Sequence, residues 1–320
     1  MSDSRPVVRA GIGQLPALAG SLVAVTFGLM VFGASVRVND AGLACPDWPL
    51  CFGEVIPTID VGVAFEFGHR VLAGGVSLGF LGLVGLMWRR RQGVPSLAFR
   101  LAGLAAVVLA IQILLGGLTV WELLAEWTVT SHLLAGNTFC LLLFLIALTL
   151  REAGRPLVRD PVAWVQRGFA AGLALLVSLQ VALGGLVSSS YAGLACGTWP
   201  GCNGAAWFPT FSGLVGLQVT HRLIAYVLLA VAVLAMATSR GRGRAGKATL
   251  LVGGLIVMQG GLGVMNVLWH LKAEITLAHT AGAAAIVLAT TFLNWEVWRA
   301  PVRTPFLSTQ SLPQPAREPS

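Results

Sequence analysis

"NDAGLACPDWPLCFG", Asn39 to Gly53, holds two cysteines around a Trp-Pro pair. A near copy, "SSYAGLACGTWPGCNG", returns at Ser189 to Gly204. Extended without gaps, "GASVRVNDAGLACPDWPLC" falls on "GGLVSSSYAGLACGTWPGC" at an offset of 151. "EFGHRVLAG" falls on "QVTHRLIAY" at an offset of 152. Gln112 precedes His132 by 20 positions, as Gln259 precedes His279. The chain is one plan written twice, and any account of one loop must serve for both.

Around the loops the chain is apolar. Of its 320 residues 56% are hydrophobic and 11% charged, with mean hydropathy +0.81; a soluble domain carries about 25% charged residues. The apolar residues fall into eight runs, roughly 16–36, 64–88, 99–120, 128–150, 166–187, 213–238, 248–268 and 276–297. Each is near the ~20 residues needed to cross a bilayer core as a helix, the form that satisfies the backbone in lipid. The first run has no A-x-A-like cleavage site and seven more follow it, so it reads as a span rather than a secretory leader. The fold expected is an all-α polytopic membrane protein of eight transmembrane helices. Four spans per copy is an even number, so both copies have the same orientation, related by a pseudo-two-fold axis along the membrane normal. The expected units are four-helix bundles at 1–155 and 156–300, with sites built between facing helices. A polar, proline-rich tail at 301–320 reads as disordered.

The net charge of +8 is sorted by loop and does not point to nucleic acid. Arg5 and Arg9, Arg89 to Arg91 with Arg100, Arg151, Arg155, Arg159 and Arg167, Arg240, Arg242, Arg244 and Lys247, and Arg299, Arg303 and Arg317 all fall on one side. They are 17 of the 21 basic residues; Arg37, Arg70, Arg222 and Lys272 fall on the other. The positive-inside rule places both termini in the cytoplasm and both cysteine loops outside, in a cell inner (plasma) membrane. On that oxidising face Cys45/Cys51 and Cys196/Cys202 are expected as two intra-loop disulfides. A zinc site would require four thiolates from two distant loops. Cys140, in mid-span, reads as a small core residue.

Four of the five histidines lie in spans: His69, His132, His221 and His279. Each precedes the basic edge of its span by 19 or 20 residues, to Arg89, Arg151, Arg240 and Arg299 respectively. At 1.5 Å per residue each stands ~30 Å from that edge, at the outer boundary of the hydrocarbon. One such histidine is readily a packing residue; four at repeat-related positions form two imidazole pairs beneath two loops. Paired imidazoles suit haem iron, zinc or copper. Haem needs only two axial ligands and an apolar slot, and Arg70 and Arg222, directly after His69 and His221, are candidate partners for its propionates. Packing or a proton relay is the competing account. His270 has no counterpart and reads as a solvated loop residue.

The copies differ where difference matters. Glu66 lies three residues before His69 on the same helical face, and its counterpart before His221 is Gln218. A carboxylate at the membrane boundary is costly and hence a functional candidate. A surface glutamate is the plain alternative. The asymmetry suggests that one half does chemistry and the other holds a cofactor.

With "GLACPDWPLC", "GLACGTWPGC", "EFGHR", "HRLIAY", "TSHLLAG" and "LAHTAGA" together, nearly the whole chain resembles the bacterial-type haem A synthase family. The resemblance implies oxidation of the C8 methyl of haem O to a formyl group, making haem A for terminal oxidases. It implies a haem b cofactor in the second half on His221 and His279, and substrate haem in the first half on His69 and His132, with Glu66 catalytic. It implies haem O and the bilayer as partners, with haem O synthase and terminal-oxidase assembly factors as neighbours in the route; it does not specify the electron acceptor. The farnesyl chain of haem O implies lateral delivery through lipid. A bis-histidine dihaem electron carrier, a quinol-linked cytochrome, would also want four histidines but does not explain Glu66 against Gln218. A transporter would more typically break its helices at mid-membrane.

Overall fold

The computed structural model describes residues 12–302 apart from 155, 156, 205, 240 and 242. The expected tail at 301–320 lies, from residue 303 on, outside the described residues. Among the described residues eight helices are long and apolar enough to cross a membrane: α1 Leu15–Val38, α2 Val61–Arg89, α3 Ser96–Trp121, α4 Glu126–Gly154, α5 Trp164–Ser189, α6 Gly213–Ser239, α7 Gly243–Leu268 and α8 Ala273–Arg299. Each encloses one of the eight apolar runs. The protein is a multi-pass, all-α membrane protein.

Local chemistry sets the helix ends. A proline in the first turn opens α1, where its missing N–H costs nothing. Asp60 caps α2, its Oδ1 accepting the N–H of Val63 at 2.8 Å, the role short polar side chains fill at a helix start. The tight turns after α3 and α7 are built alike, with Leu123 and Leu124 at φ 49° and 62° and His270 and Leu271 at 52° and 58°. His270 is thus an exposed turn residue, as its sequence context suggests.

In the first half α1 lies against α2 and α4, and α3 against α4. In the second, α5 lies against α6 and α8, and α7 against α6 and α8. Between the halves α1 meets α8, α4 meets α5, and α4 meets α8. The first two contacts exchange under the repeat, as a pseudo-two-fold axis requires. Thr130 Oγ1 and Ser189 Oγ share a hydrogen bond of 3.0 Å across the α4–α5 seam, and Arg37 donates to the carbonyl of Ser188.

The packed core of each bundle lies in the end away from the cysteine loops. In the first half it includes Leu15, Phe80, Met87, Ala98, Leu143 and Leu150, and in the second Leu173, Ala232, Val252, Leu293 and Val297. Cys140 belongs to the first, buried and reduced. Alanines at Ala19, Ala98, Ala102 and Ala105 let backbones approach, the packing on which helices rely in lipid, where no hydrophobic drive operates between them. At this same end Glu296, 1% exposed, is bracketed by Arg244 at 2.8 Å and Arg159 at 3.3 Å. Glu152 pairs with Arg159 at 2.6 Å and Arg299 at 3.3 Å. These packed ends form floors; the histidines stand between floor and loop.

Candidate functional site

Each cysteine loop is closed by its own disulfide, Cys45–Cys51 and Cys196–Cys202, with Cα atoms 4.8 and 4.6 Å apart. All four cysteines are buried. The arginine after each first histidine pins the loop down. Arg70 donates to the carbonyls of Asp47 at 2.7 Å, Leu50 at 2.6 Å and Cys45 at 3.3 Å. Arg222 donates to the carbonyls of Thr198 at 3.0 Å, Gly201 at 3.3 Å and Cys196 at 2.7 Å. The acceptors correspond pair by pair at the repeat offset, so these two arginines, which sequence offers as propionate partners, first serve to clamp the roof.

Beneath the clamp the halves diverge. Glu66, 6% exposed, accepts the Cys45 N–H on Oε2 at 2.8 Å and pairs with Arg70 on Oε1 at 2.5 Å. Gln218, 5% exposed, instead donates from Nε2 to the carbonyl of Gly193 at 3.2 Å. A carboxylate only accepts and an amide also donates, so the same position is negative in one half and neutral in the other. The roofs differ too. Trp48 of the first loop stacks edge-on against Trp121 at 5.5 Å, over Gly117 of α3, whereas Trp199 is 43% exposed.

The histidines pair within each half. His69 is an electrostatic neighbour of His132, and His221 of His279. Each ring lies against a glycine of the preceding helix. A β-carbon on Gly33 would stand 2.8 Å from His69 Cε1, on Gly116 3.3 Å from His132 Cε1, on Gly184 3.2 Å from His221 Cε1, and on Gly263 3.3 Å from His279 Cε1. A β-carbon at any of the four would press on the ring, most at Gly33, so glycine lets the Cε1 corner of each ring come close to the preceding helix. Glutamines accompany three of them. Gln112 Nε2 is 3.3 Å from His132 Nε2. Gln259 Nε2 donates to the carbonyl of His279 at 2.7 Å. Gln180 Nε2 donates to the carbonyl of His221 at 3.1 Å and lies 3.2 Å from its Nδ1. The glycines and Gln180 were not singled out by sequence reasoning. The repeat alignment that begins at Gly33 and Gly184 holds the signal for the first pair. Gln180 could have been found as the polar counterpart of Leu29.

Buried polar atoms without partners gather here. Nδ1 of His69, His132 and His279 and Oε1 of Gln112, Gln180, Gln218 and Gln259 lack a hydrogen bond. Such an atom costs about 1–3 kcal/mol, so a cluster of them marks a place arranged for something besides the protein. Two imidazoles on different helices of an apolar bundle, with a glycine beside each ring and a packed floor, fit a haem held between them. Among the described residues no three His, Cys, Asp or Glu side chains gather as a cation site.

The sequence profile of the COX15-CtaA family, described as cytochrome oxidase assembly protein, matches residues 17–291. Similar proteins carry the name heme A synthase. One from Shewanella oneidensis is 30% identical over 89% of this chain and 97% of its own length. One from a Caulobacter species is 27% identical over 86% and 93%. One from Halalkalibacterium halodurans is 30% identical over 65% and 70%.

Proposed function

The chain belongs to the COX15-CtaA family of cytochrome oxidase assembly proteins, and from that premise we propose that it is a membrane oxidoreductase converting haem O to haem A by oxidising the C8 methyl to a formyl group. The first half takes the substrate haem between His69 and His132. The second half holds a haem b cofactor between His221 and His279. The observation that carries this division is Glu66 against Gln218: of two repeat-related sites, one has a buried carboxylate beside the first histidine and one a neutral amide.

Glu66 is held still. Arg70 fixes one oxygen and the Cys45 N–H the other. With water as the oxygen donor, taking a methyl to a formyl group releases four electrons and four protons; the electrons leave to an external acceptor, and Glu66 is the group placed to accept a proton. The clamped loop excludes water from above, which strengthens every charge interaction beneath it. A haem b on His221 and His279 would supply one-electron transfer. There the neutral Gln218 preserves hydrogen bonding to the loop without a proton acceptor, and Gln180 fixes the His221 backbone and ring.

The sorting of arginine and lysine supports cytoplasmic termini and external cysteine loops. In such a route haem O synthase supplies the substrate and terminal-oxidase assembly consumes the product. The test is chromatography of haem extracted from purified protein supplied with haem O. Haem A should appear over haem b that persists; two equal haem b groups and no modified haem would overturn the proposal in favour of an electron carrier.

A further inference from the structure

The two bundles close differently on the lipid side. In the second half α6 packs along α7; in the first, the equivalent helices α2 and α3 scarcely touch. The second seam is locked by Gly253 of α7, buried where any β-carbon would collide with the Met236 side chain of α6. The counterpart of Gly253 is Ala106, which is exposed. On α2, Ala73-Gly74-Gly75 stands where α6 has Ala225-Tyr226-Val227. Nothing lies within 4 Å of where a β-carbon of Gly74 or Gly75 would be. Val71 and Leu72 are 56% and 47% exposed, while their counterparts Leu223 and Ile224 are half-buried.

The open seam leads to one place. His69 stands on α2 and His132 on α4 against α3, so the gap between α2 and α3 opens between the two imidazoles of the first half. It faces lipid, because the contacts to the other half are made by α1 and α4. We propose that the α2–α3 seam is a lateral port through which a prenylated haem enters from the bilayer, its apolar tail lying in the notch left by Gly74 and Gly75. This rests on the first half being the substrate half. A lipid-dissolved ligand must pass between helices rather than through a roof clamped by Arg70, and a long tail that stays in the seam never has to leave apolar surroundings. The sealed α6–α7 seam suits a cofactor that stays.

The test fills the notch on α2 with the side chains that α6 carries at the matching positions, Tyr226 and Val227. The protein in lipid nanodiscs, carrying Gly74→Tyr and Gly75→Val, is mixed with haem O, and uptake at the first-half histidines is followed by absorption. Uptake should slow by about tenfold or more, an added barrier of about 1.4 kcal/mol or more, while the haem b spectrum of the second half, the folding control, is unchanged. Uptake at the wild-type rate overturns the port. A photoreactive side chain provides a second readout in an otherwise unaltered seam: placed at Val71 it should capture haem O, and placed at Leu223 it should not. Capture at Leu223 alone also overturns the proposal. If the unsubstituted protein takes up no haem O, the assignment of the first half falls; if it does and the closed variant matches it, only the port falls.

Discussion

The Cys45 backbone N–H donates to Glu66 Oε2 at 2.8 Å, so the residue that closes the first loop's disulfide is bonded directly to the buried carboxylate. The second loop has no equivalent: Gln218 reaches the carbonyl of Gly193 instead, three residues before Cys196. In the first half a carboxylate ties α2 to the disulfide cysteine itself; in the second an amide ties α6 to Gly193.

The two disulfides should therefore differ in consequence. Each closes a short loop, for which chain entropy gives about 2 kcal/mol of stabilisation, so loss of either should lower the melting temperature similarly. Cys45→Ser or Cys51→Ser should also depress haem A formation, because the Cys45 amide would no longer be held over Glu66. Cys196→Ser or Cys202→Ser should leave turnover per haem b closer to normal. Equal turnover losses from all four variants would reduce both loops to staples.

In the second half, His221→Ala or His279→Ala should each abolish the low-spin bis-histidine spectrum expected of haem b, since each would remove one of the two proposed ligands. His69→Ala and His132→Ala should leave that spectrum intact and impair only haem O binding. Optical spectra of the four purified variants separate the halves, and loss of haem b in a His69 variant would contradict the assignment.

Much of this was legible in sequence because the repeat does the work of comparison. The four histidines, the two cysteine loops and the Glu66/Gln218 exchange stand out when one half is laid on the other, and all eight spans are apolar enough to be read singly. The arginines are less transparent: adjacency of Arg70 to His69 suggests a ligand-facing cation, whereas the fold turns its guanidinium to loop carbonyls 20 to 25 positions away. The glycine faces were missed because Gly33 meets His69 only once two helices have been packed. The α2–α3 seam was missed because openness belongs to a pair of helices and not to either one.

The glycine faces can be tested singly. Gly33→Val places branched carbons where one β-carbon already stands 2.8 Å from the His69 ring. Overpacking of this kind costs typically about 1–3 kcal/mol, and here the strain falls on a proposed haem ligand. Haem O affinity should drop while haem b is retained. Gly28→Val, on the same helix with nothing within 4 Å of a β-carbon, should change neither. Equal affinities for the two variants would mean that the ring can move freely.

The ion cluster at the far end should matter to stability and not to chemistry. Glu296 is 1% exposed between Arg159 and Arg244. Removing one partner of a buried pair costs about 3–5 kcal/mol, and the lower end applies because Arg244 is 44% exposed and screened by solvent. Glu296→Ala should lower the melting temperature in detergent, and protein that remains folded should turn over haem O at the normal rate per haem b.

Glu66→Gln is the sharpest test because the second half has already made the substitution. The amide preserves length and the ability to accept from the Cys45 N–H. It removes the negative charge and the pairing with Arg70, and it cannot exchange a proton at the reacting carbon. Arg70 retains its three loop carbonyls, so the roof should stay in place and haem b should remain on His221 and His279. What should fail is the oxidation, which should slow by ~10²–10⁴-fold, the range for loss of a general base, and extracted haem should accumulate as haem O or a partly oxidised alcohol. The reverse change, Gln218→Glu, should not create a second reactive half, because on the proposed division that site is the cofactor's. Haem A formed at the wild-type rate by Glu66→Gln would return Glu66 to a structural tie between α2 and its loop.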